Sequence, residues 1–278
     1  MSWWAIDVRT GAEERDQLGA WLVTRTGQAV EERDDGTLVA FAPDEASAEN
    51  LIAELSRRTV TPLETRRRSV EAADWSTEWR RGLAARRVGR LRLVPSWLAE
   101  GSEPDAVTVV LDPETAFGSG EHGSTRAALR LMDQLLVSGD RVVDLGSGSG
   151  ILTIAAVKLG AASAIGIEVD PEANPVALRN AVRNRVVGRV EFLDGDAAAL
   201  APLVGPADLL VSNILRTTNT ALLPAIAAAL RQGGIAIFSG MEQPEADQFR
   251  RTLGHSGFNP FQETSDSGWW AVAAERPE

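Results

Sequence analysis

Apolar positions along this chain recur at two spacings, and the organisation changes near residue 106. Trp3–Val8 is a β-rich run that predicts a strand. Leu18, Trp21, Leu22 and Arg25 share one face of a helix over residues 12–25. Ala29–Glu31 and Thr37–Phe41 read as short strands, and Asp35-Gly36 between them is a hairpin signal. Asp44 caps a helix over 45–58 with Ala48, Leu51, Ile52 and Leu55 on one face. Thr61–Val70 supplies a last strand. The order βαββαβ predicts a small ferredoxin-like α+β domain over 1–70. It carries no site chemistry, so its expected role is substrate recognition. Residues 71–98 read as a linker in which Trp75, Trp79 and Leu83 anchor one helix face.

Beyond it, strands and helices alternate. Strands are predicted at 107–111, 141–145, 164–169, 190–193, 209–212, 234–239 and 269–274. Helices are predicted at 124–137, 151–159, 171–185, 220–231 and 244–256. Short apolar strands alternating with helices predict an α/β, Rossmann-like, mainly parallel sheet over 99–278.

Composition narrows the chemistry. The 278 residues include no Cys, no Tyr and two His, which removes thiolate zinc sites, cysteine nucleophiles and histidine-rich metal centres. The net charge is −11, a poor footprint for nucleic acid and a better one for a basic partner. The start of the chain lacks a basic segment followed by a long apolar one, and the apolar run at 151–167 contains Lys158 and Gly160. The expectation is a cytoplasmic monomer that contacts neither membrane nor nucleic acid directly.

Five clusters carry candidate chemistry. Val142-Val-Asp144-Leu-Gly146-Ser-Gly148-Ser-Gly150 is a strand followed by a glycine loop and a helix start, where backbone N–H groups face a ligand. Its G-x-G-x-G spacing, with an acid two residues ahead, departs from the G-x-G-x-x-G of dinucleotide loops: position 151 is Ile151. This form resembles the S-adenosylmethionine (SAM) loop of class I methyltransferases, in which Asp144 would meet the ligand's ammonium. Glu168 ends the next strand, 20 residues after Gly148, where an acid accepts ribose hydroxyls; Asp170 beside it reads as a cap. Asp196 follows the third strand as a candidate for the adenine amino group or a turn. Asn213 lies just past the buried run Leu209–Ser212, with an amide oxygen able to accept from an amine. The glycine-rich segment 111–126 precedes the first of these strands; Thr125 either bonds the cofactor or caps its helix, and His122 either makes a loop hydrogen bond, the favoured reading, or serves as a catalytic base.

Taken in order, the segments Asp112-Pro-Glu-Thr-Ala-Phe-Gly-Ser-Gly-Glu-His122-Gly-Ser-Thr125, Val143-Asp-Leu-Gly-Ser-Gly-Ser-Gly-Ile-Leu152, Gly166-Ile-Glu-Val-Asp-Pro171 and Asn213-Ile-Leu215 resemble the PrmA family, bacterial methyltransferases of large-subunit ribosomal protein eleven. The likeness covers about residues 75–278. It implies a SAM-dependent N-methyltransferase that releases S-adenosylhomocysteine, uses no metal, and acts on lysine side chains and the N-terminal amine of that basic ribosomal protein. It places cofactor contacts at Thr125, Gly146, Glu168 and Asn213, beside Asp144, Gly148, Gly150 and Asp196, with Asn213 as the catalytic residue that orients the amine. Two departures stand out: Gly123 where the family has Pro, expected to loosen the loop, and Glu168 where it has Asp. The residues alone leave open a different protein or small-molecule acceptor, a binding module without turnover, and a nicotinamide ligand.

Overall fold

The computed structural model describes residues 3–11, 18–19, 21–23, 25–26, 30–32, 36–58, 63–70, 84–99, 107–112, 118 and 120–276. The chain divides into two compact units, residues 1–81 and 82–278.

In the first unit, β1 (Trp3–Arg9), β2 (Glu31–Glu32), β3 (Leu38–Ala42) and β4 (Glu64–Val70) form one sheet in the order β2-β3-β1-β4. Every pairing is antiparallel, with Ile6 opposite Ala40 on one side and Arg67 on the other. This is the ferredoxin-like order that the sequence predicts. Helix α1 spans Glu45–Arg58, and Asp44 starts it by accepting the Ser47 N–H at 2.7 Å. Its buried Ala48, Leu51 and Leu55 pack with Ile6, Val8, Leu38 and the helical residues Leu18 and Leu22. Trp75 and Trp79 lie outside the described residues.

The second unit opens with β5 (Arg86–Val88) and β6 (Leu91–Val94), a hairpin that β7 (Thr108–Val110) extends in parallel. Residues 86–94, read from sequence as linker, are therefore paired strands. Their alternation was obscured by exposed arginines at 86, 87 and 92, while Val88, Leu91 and Leu93 are buried. The main elements follow: α2 (Gly123–Leu135), β8 (Arg141–Leu145), α3 (Ile151–Leu159), β9 (Ser163–Glu168), α4 (Ala173–Arg183), β10 (Val190–Asp194) and α5 (Ala197–Val204). After these come β11 (Ala207–Asn213), α6 (Arg216–Ala229), β12 (Leu230–Glu242), α7 (Ala246–His255), β13 (Asn259–Asp266) and β14 (Trp269–Glu275). Neither α5 nor β13 is among the elements predicted from the sequence.

The seven strands run β10-β9-β8-β11-β12-β14-β13. The first five are parallel, and β14 pairs antiparallel with both β12 and β13. One core cluster joins α2 and α3 to the β5–β7 layer, and a second covers the opposite face with α6 and α7. The apolar run at 151–167 is α3 and β9, buried almost throughout.

Strand order reverses between β8 and β11. The crevice beyond the carboxyl ends of those two strands is where open α/β sheets receive ligands, and both Asp144 and Asn213 end there. Two buried amides dock β7 beside it. Asn184 bonds both the N–H and the C=O of Val110 at 2.8 and 2.6 Å, and Asn180 does the same for Asp112 at 3.1 Å each. Residues two apart in an extended chain point these groups the same way, so Asn180 in α4 and Asn184, the residue that follows its last turn, stand in for a neighbouring strand.

Candidate active site at the carboxyl edge of the sheet

Asp144 is fully buried. Its Oδ2 accepts the Thr153 N–H at 3.0 Å and the Thr153 hydroxyl at 2.7 Å, drawing the first turn of α3 onto β8. Its Oδ1 is buried with no partner. Burial pushes the carboxyl up to about 7; the two Thr153 bonds oppose this and the nearby Glu168 charge adds to it. Between β8 and α3 the backbone is left-handed at Gly146, Gly148 and Gly150, with φ of 73°, 51° and 79°. A Cβ at 146 would stand 2.6 Å from Ile214 Cγ2, so the loop is closed to larger residues there as well.

Glu168 stands at the end of β9. Its Oε2 accepts the Gly148 N–H at 2.9 Å, and its Oε1 accepts from Val169 and Asp170 at 2.9 and 3.1 Å. The carboxylate thus faces the glycine loop. Asp170 accepts the Glu172 N–H at 2.9 Å in a turn ahead of α4; the cap position itself falls on Glu172, because the helix starts two residues later than the sequence predicts. Asp196 begins α5 and accepts the Ala198 N–H at 2.8 Å, so one of its oxygens serves the helix cap.

Asn213 ends β11. Its Nδ2 donates to Thr125 Oγ1 at 3.3 Å, a contact across 88 positions of chain, and its Oδ1 is buried without a partner. Thr125 is fully buried and does not cap its helix: α2 begins at Gly123, and His122 holds the cap position. His122 Nδ1 lies 2.7 Å from Ser124 Oγ, and its ring packs on Trp269 at 4.2 Å between centroids. Burial and the Arg126 charge lower its pKa, which favours the neutral ring.

Gly118 O accepts from the Ser149 hydroxyl at 2.6 Å, which ties the segment before α2 to the glycine loop. The rest of that segment, residues 113–117 and 119, lies outside the described residues.

The sequence did not mark several polar residues that surround this crevice. Asn174, in the first turn of α4, donates to Asp194 at 2.6 Å, and its Oδ1 is buried and unpartnered, as is Ser147 Oγ in the glycine loop. Asp144, Ser147, Asn174 and Asn213 therefore each carry an unsatisfied buried polar atom at the carboxyl edge. Such atoms are rare in folded proteins, and the grouping of four at one strand edge fits a polar ligand. A ligand with an ammonium, a diol and an aromatic amine matches these groups and the glycine cradle. Among the described residues no cluster is placed to hold a metal ion.

Residues 5–277 match the family model described as ribosomal protein L11 methyltransferase (PrmA). The chain belongs to that family. The ribosomal protein L11 methyltransferase of Pelotomaculum thermopropionicum is 35% identical over 241 residues, covering 86% of this chain and 78% of that protein. That of Thermus thermophilus is 39% identical over 204 residues, covering 73% and 78%. The crystal structure of the ribosomal protein L11 methylase from Lactobacillus delbrueckii subsp. bulgaricus superposes with a TM-score of 0.63 at 30% identity, covering 70% of this chain and all of that one. Within the L11 methyltransferase family, the glycine at 123 has a local reason here. A Cβ at that position would sit 2.4 Å from Asp266 O and 2.8 Å from Trp269 Cδ1. Gly123 is thus wedged as the first residue of α2, where a larger residue would have to displace β13 and the turn after it.

Proposed function

We propose that this member of the L11 methyltransferase family transfers methyl groups from SAM to lysine side-chain and N-terminal amines of ribosomal protein L11. The observation that carries the reading is the unpartnered Asn213 Oδ1 at the same strand-order reversal as the glycine cradle and the buried Asp144. In this reading Gly146, Gly148 and Gly150 admit the cofactor to the backbone, Asp144 Oδ1 receives its ammonium, and Glu168 accepts the ribose hydroxyls. Asp196 meets the adenine amino group with the oxygen its helix does not use, and Thr125 closes the crevice beside Asn213.

When bound, SAM supplies an electrophilic methyl group on a sulfonium centre. Asn213 Oδ1 accepts an N–H of the substrate amine and thereby directs its lone pair. An ordinary lysine amine has a pKa of about 10.4, so the crevice must select its neutral form. The amide of Asn213 takes up no proton, and in this reading the proton goes to solvent.

Residues 1–70 are read as substrate recognition, the stretch between them and β5 as connection, and the second unit, with β5 and β6, as catalysis. Residues 1–60 carry 12 acids and 6 arginines, which favours a basic protein partner. The protein is read as a cytoplasmic monomer that engages L11 itself, without direct contact to nucleic acid. Incubating purified L11 with the enzyme and isotopically labelled SAM tests the function. Labelled methyl groups on lysine and N-terminal amines are expected by mass spectrometry, and L11 left unlabelled would refute it.

Cofactor affinity should depend on pH through Asp144. Its raised pKa means that the ligand-free protein is favoured with Asp144 protonated; that stabilisation is complete below the ordinary carboxylate range and lost as pH rises through about 7. An ammonium binds the carboxylate form, so SAM affinity should rise with pH up to about 7. The gain is about tenfold for each unit by which binding lowers the pKa. Calorimetric titration should show this rise in the parent and a flat profile over the same range in Asp144→Asn. An equally steep profile in that variant would exclude Asp144 as the titrating group.

A further inference from the structure

We propose that Asn219 is a positioning residue for methyl transfer, setting the Asn213–Leu215 turn from behind; this rests on the role of Asn213 given above. Asn219 lies in α6 and is fully buried, an unusual setting for an amide in a helix. Among the described residues its side chain bonds three neighbours of Asn213 and no other element. Ser212, the preceding residue, donates its hydroxyl to Asn219 Oδ1 at 2.7 Å. Asn219 Nδ2 donates to the carbonyl of Ile214, the following residue, at 3.0 Å. The same nitrogen donates at 3.0 Å to the carbonyl of Ser239, which is paired with Asn213 across the β11–β12 ladder.

The arrangement continues to the other partner of Asn213. Ser239 Oγ donates to Ser124 O at 2.9 Å, and the next residue, Thr125, receives the Asn213 Nδ2. One buried amide therefore ties together both flanks of Asn213 and β12, whose Ser239 bonds the residue before Thr125 in α2. The turn has little room to choose another path. A Cβ at Gly240 would lie 2.3 Å from Ile214 O, and one at Gly146 would meet the Ile214 side chain. The Ile214 peptide is thus confined between the glycine loop and β12, with its carbonyl orientation set by Asn219. A buried side-chain network that is fully bonded holds one geometry. Here that geometry aims the free Asn213 Oδ1.

The test compares Ser212→Ala/Asn219→Leu, which removes both buried partners at similar volume, with Asn213→Ala and with the triple variant. L11 serves as substrate and S-adenosylhomocysteine as the binding probe. The double variant should melt cooperatively. Its kcat should fall about tenfold, the order of one mis-set hydrogen bond. Its KM for L11 and its affinity for the probe should stay within about twofold of the parent, a split that general loss of structure does not produce. The triple variant should be no slower than Asn213→Ala, because Asn219 acts only through Asn213. A kcat near that of the parent, a loss appearing in probe affinity instead, or losses that multiply in the triple variant would each overturn the proposal. If the double variant does not fold, Ser212→Ala alone carries the same comparison. A normal kcat in Asn213→Ala would refute the role of Asn213 itself, a separate outcome.

Discussion

Gly146→Val should abolish cofactor binding, lowering SAM affinity by more than about a hundredfold. Position 146 has φ of 73°, where a β-branched residue costs on the order of 1–3 kcal/mol. The Cβ alone would lie 2.6 Å from Ile214 Cγ2, and overpacking of this kind costs about 1–3 kcal/mol more. The chain escapes both by moving the loop, and the Gly148 N–H then leaves Glu168, its partner at 2.9 Å. The cradle and the ribose acceptor are lost together. The sheet should persist, because Gly146 lies one residue past the end of β8 and its N–H contact is to the Ile167 carbonyl at the adjacent strand end. Calorimetry with SAM on a variant that still melts cooperatively checks the result; parent-like affinity would place the cofactor elsewhere.

The sequence exposed this loop because its glycines, the acid before them and the apolar strand lie within nine residues, all local features. Glu168 and Asn213 were legible for a related reason: each follows a short apolar run, and the carboxyl ends of such runs converge in a parallel sheet. What stayed hidden depends on tertiary burial. β13 has exposed and half-buried residues in alternation, and its residues Asn259–Asp266 are mostly polar, as an edge strand paired on one side permits. α5 contains Pro202 inside its eight residues, a breaker that hides a helix in which only Ala201 is fully buried. Asn180, Asn184 and Asn219 look like solvent-facing helix positions in sequence. Each is buried because a strand edge or a turn from elsewhere brings backbone groups against it. Thr125 was ambiguous between cap and site until β11 placed Asn213 beside it.

These buried contacts also explain how binding and turnover separate. Asp144, the glycines and Glu168 belong to β8, the loop that follows it and β9, whereas Asn213 and the groups around it belong to β11, β12, α2 and α6. The two sets meet at Ile214 and Gly146, where the strand order reverses. A lesion in the first set should appear in cofactor affinity and a lesion in the second in rate.

Asn213→Ala is the sharpest case of the second kind. The variant should bind SAM within about threefold of the parent while kcat falls by about 10²–10³, the loss that accompanies removal of one pre-oriented hydrogen-bonding group. Alanine leaves Thr125 Oγ1 without its donor at 3.3 Å, a small cost because a hydroxyl rotates to other partners. The substrate amine, however, loses the only acceptor among the described residues assigned to direct its lone pair. Asn213→Asp separates orientation from charge. It keeps an acceptor in place, but a carboxylate beside the amine stabilises the ammonium form and raises its pKa. Activity in that variant should therefore recover only as pH rises, with the rate profile displaced upward relative to the parent. Steady-state kinetics on L11 across pH reads both variants. An Asn213→Ala enzyme with parent-like kcat, or an Asn213→Asp profile with no upward displacement, would remove Asn213 from the reaction and leave the crevice as a binding site alone.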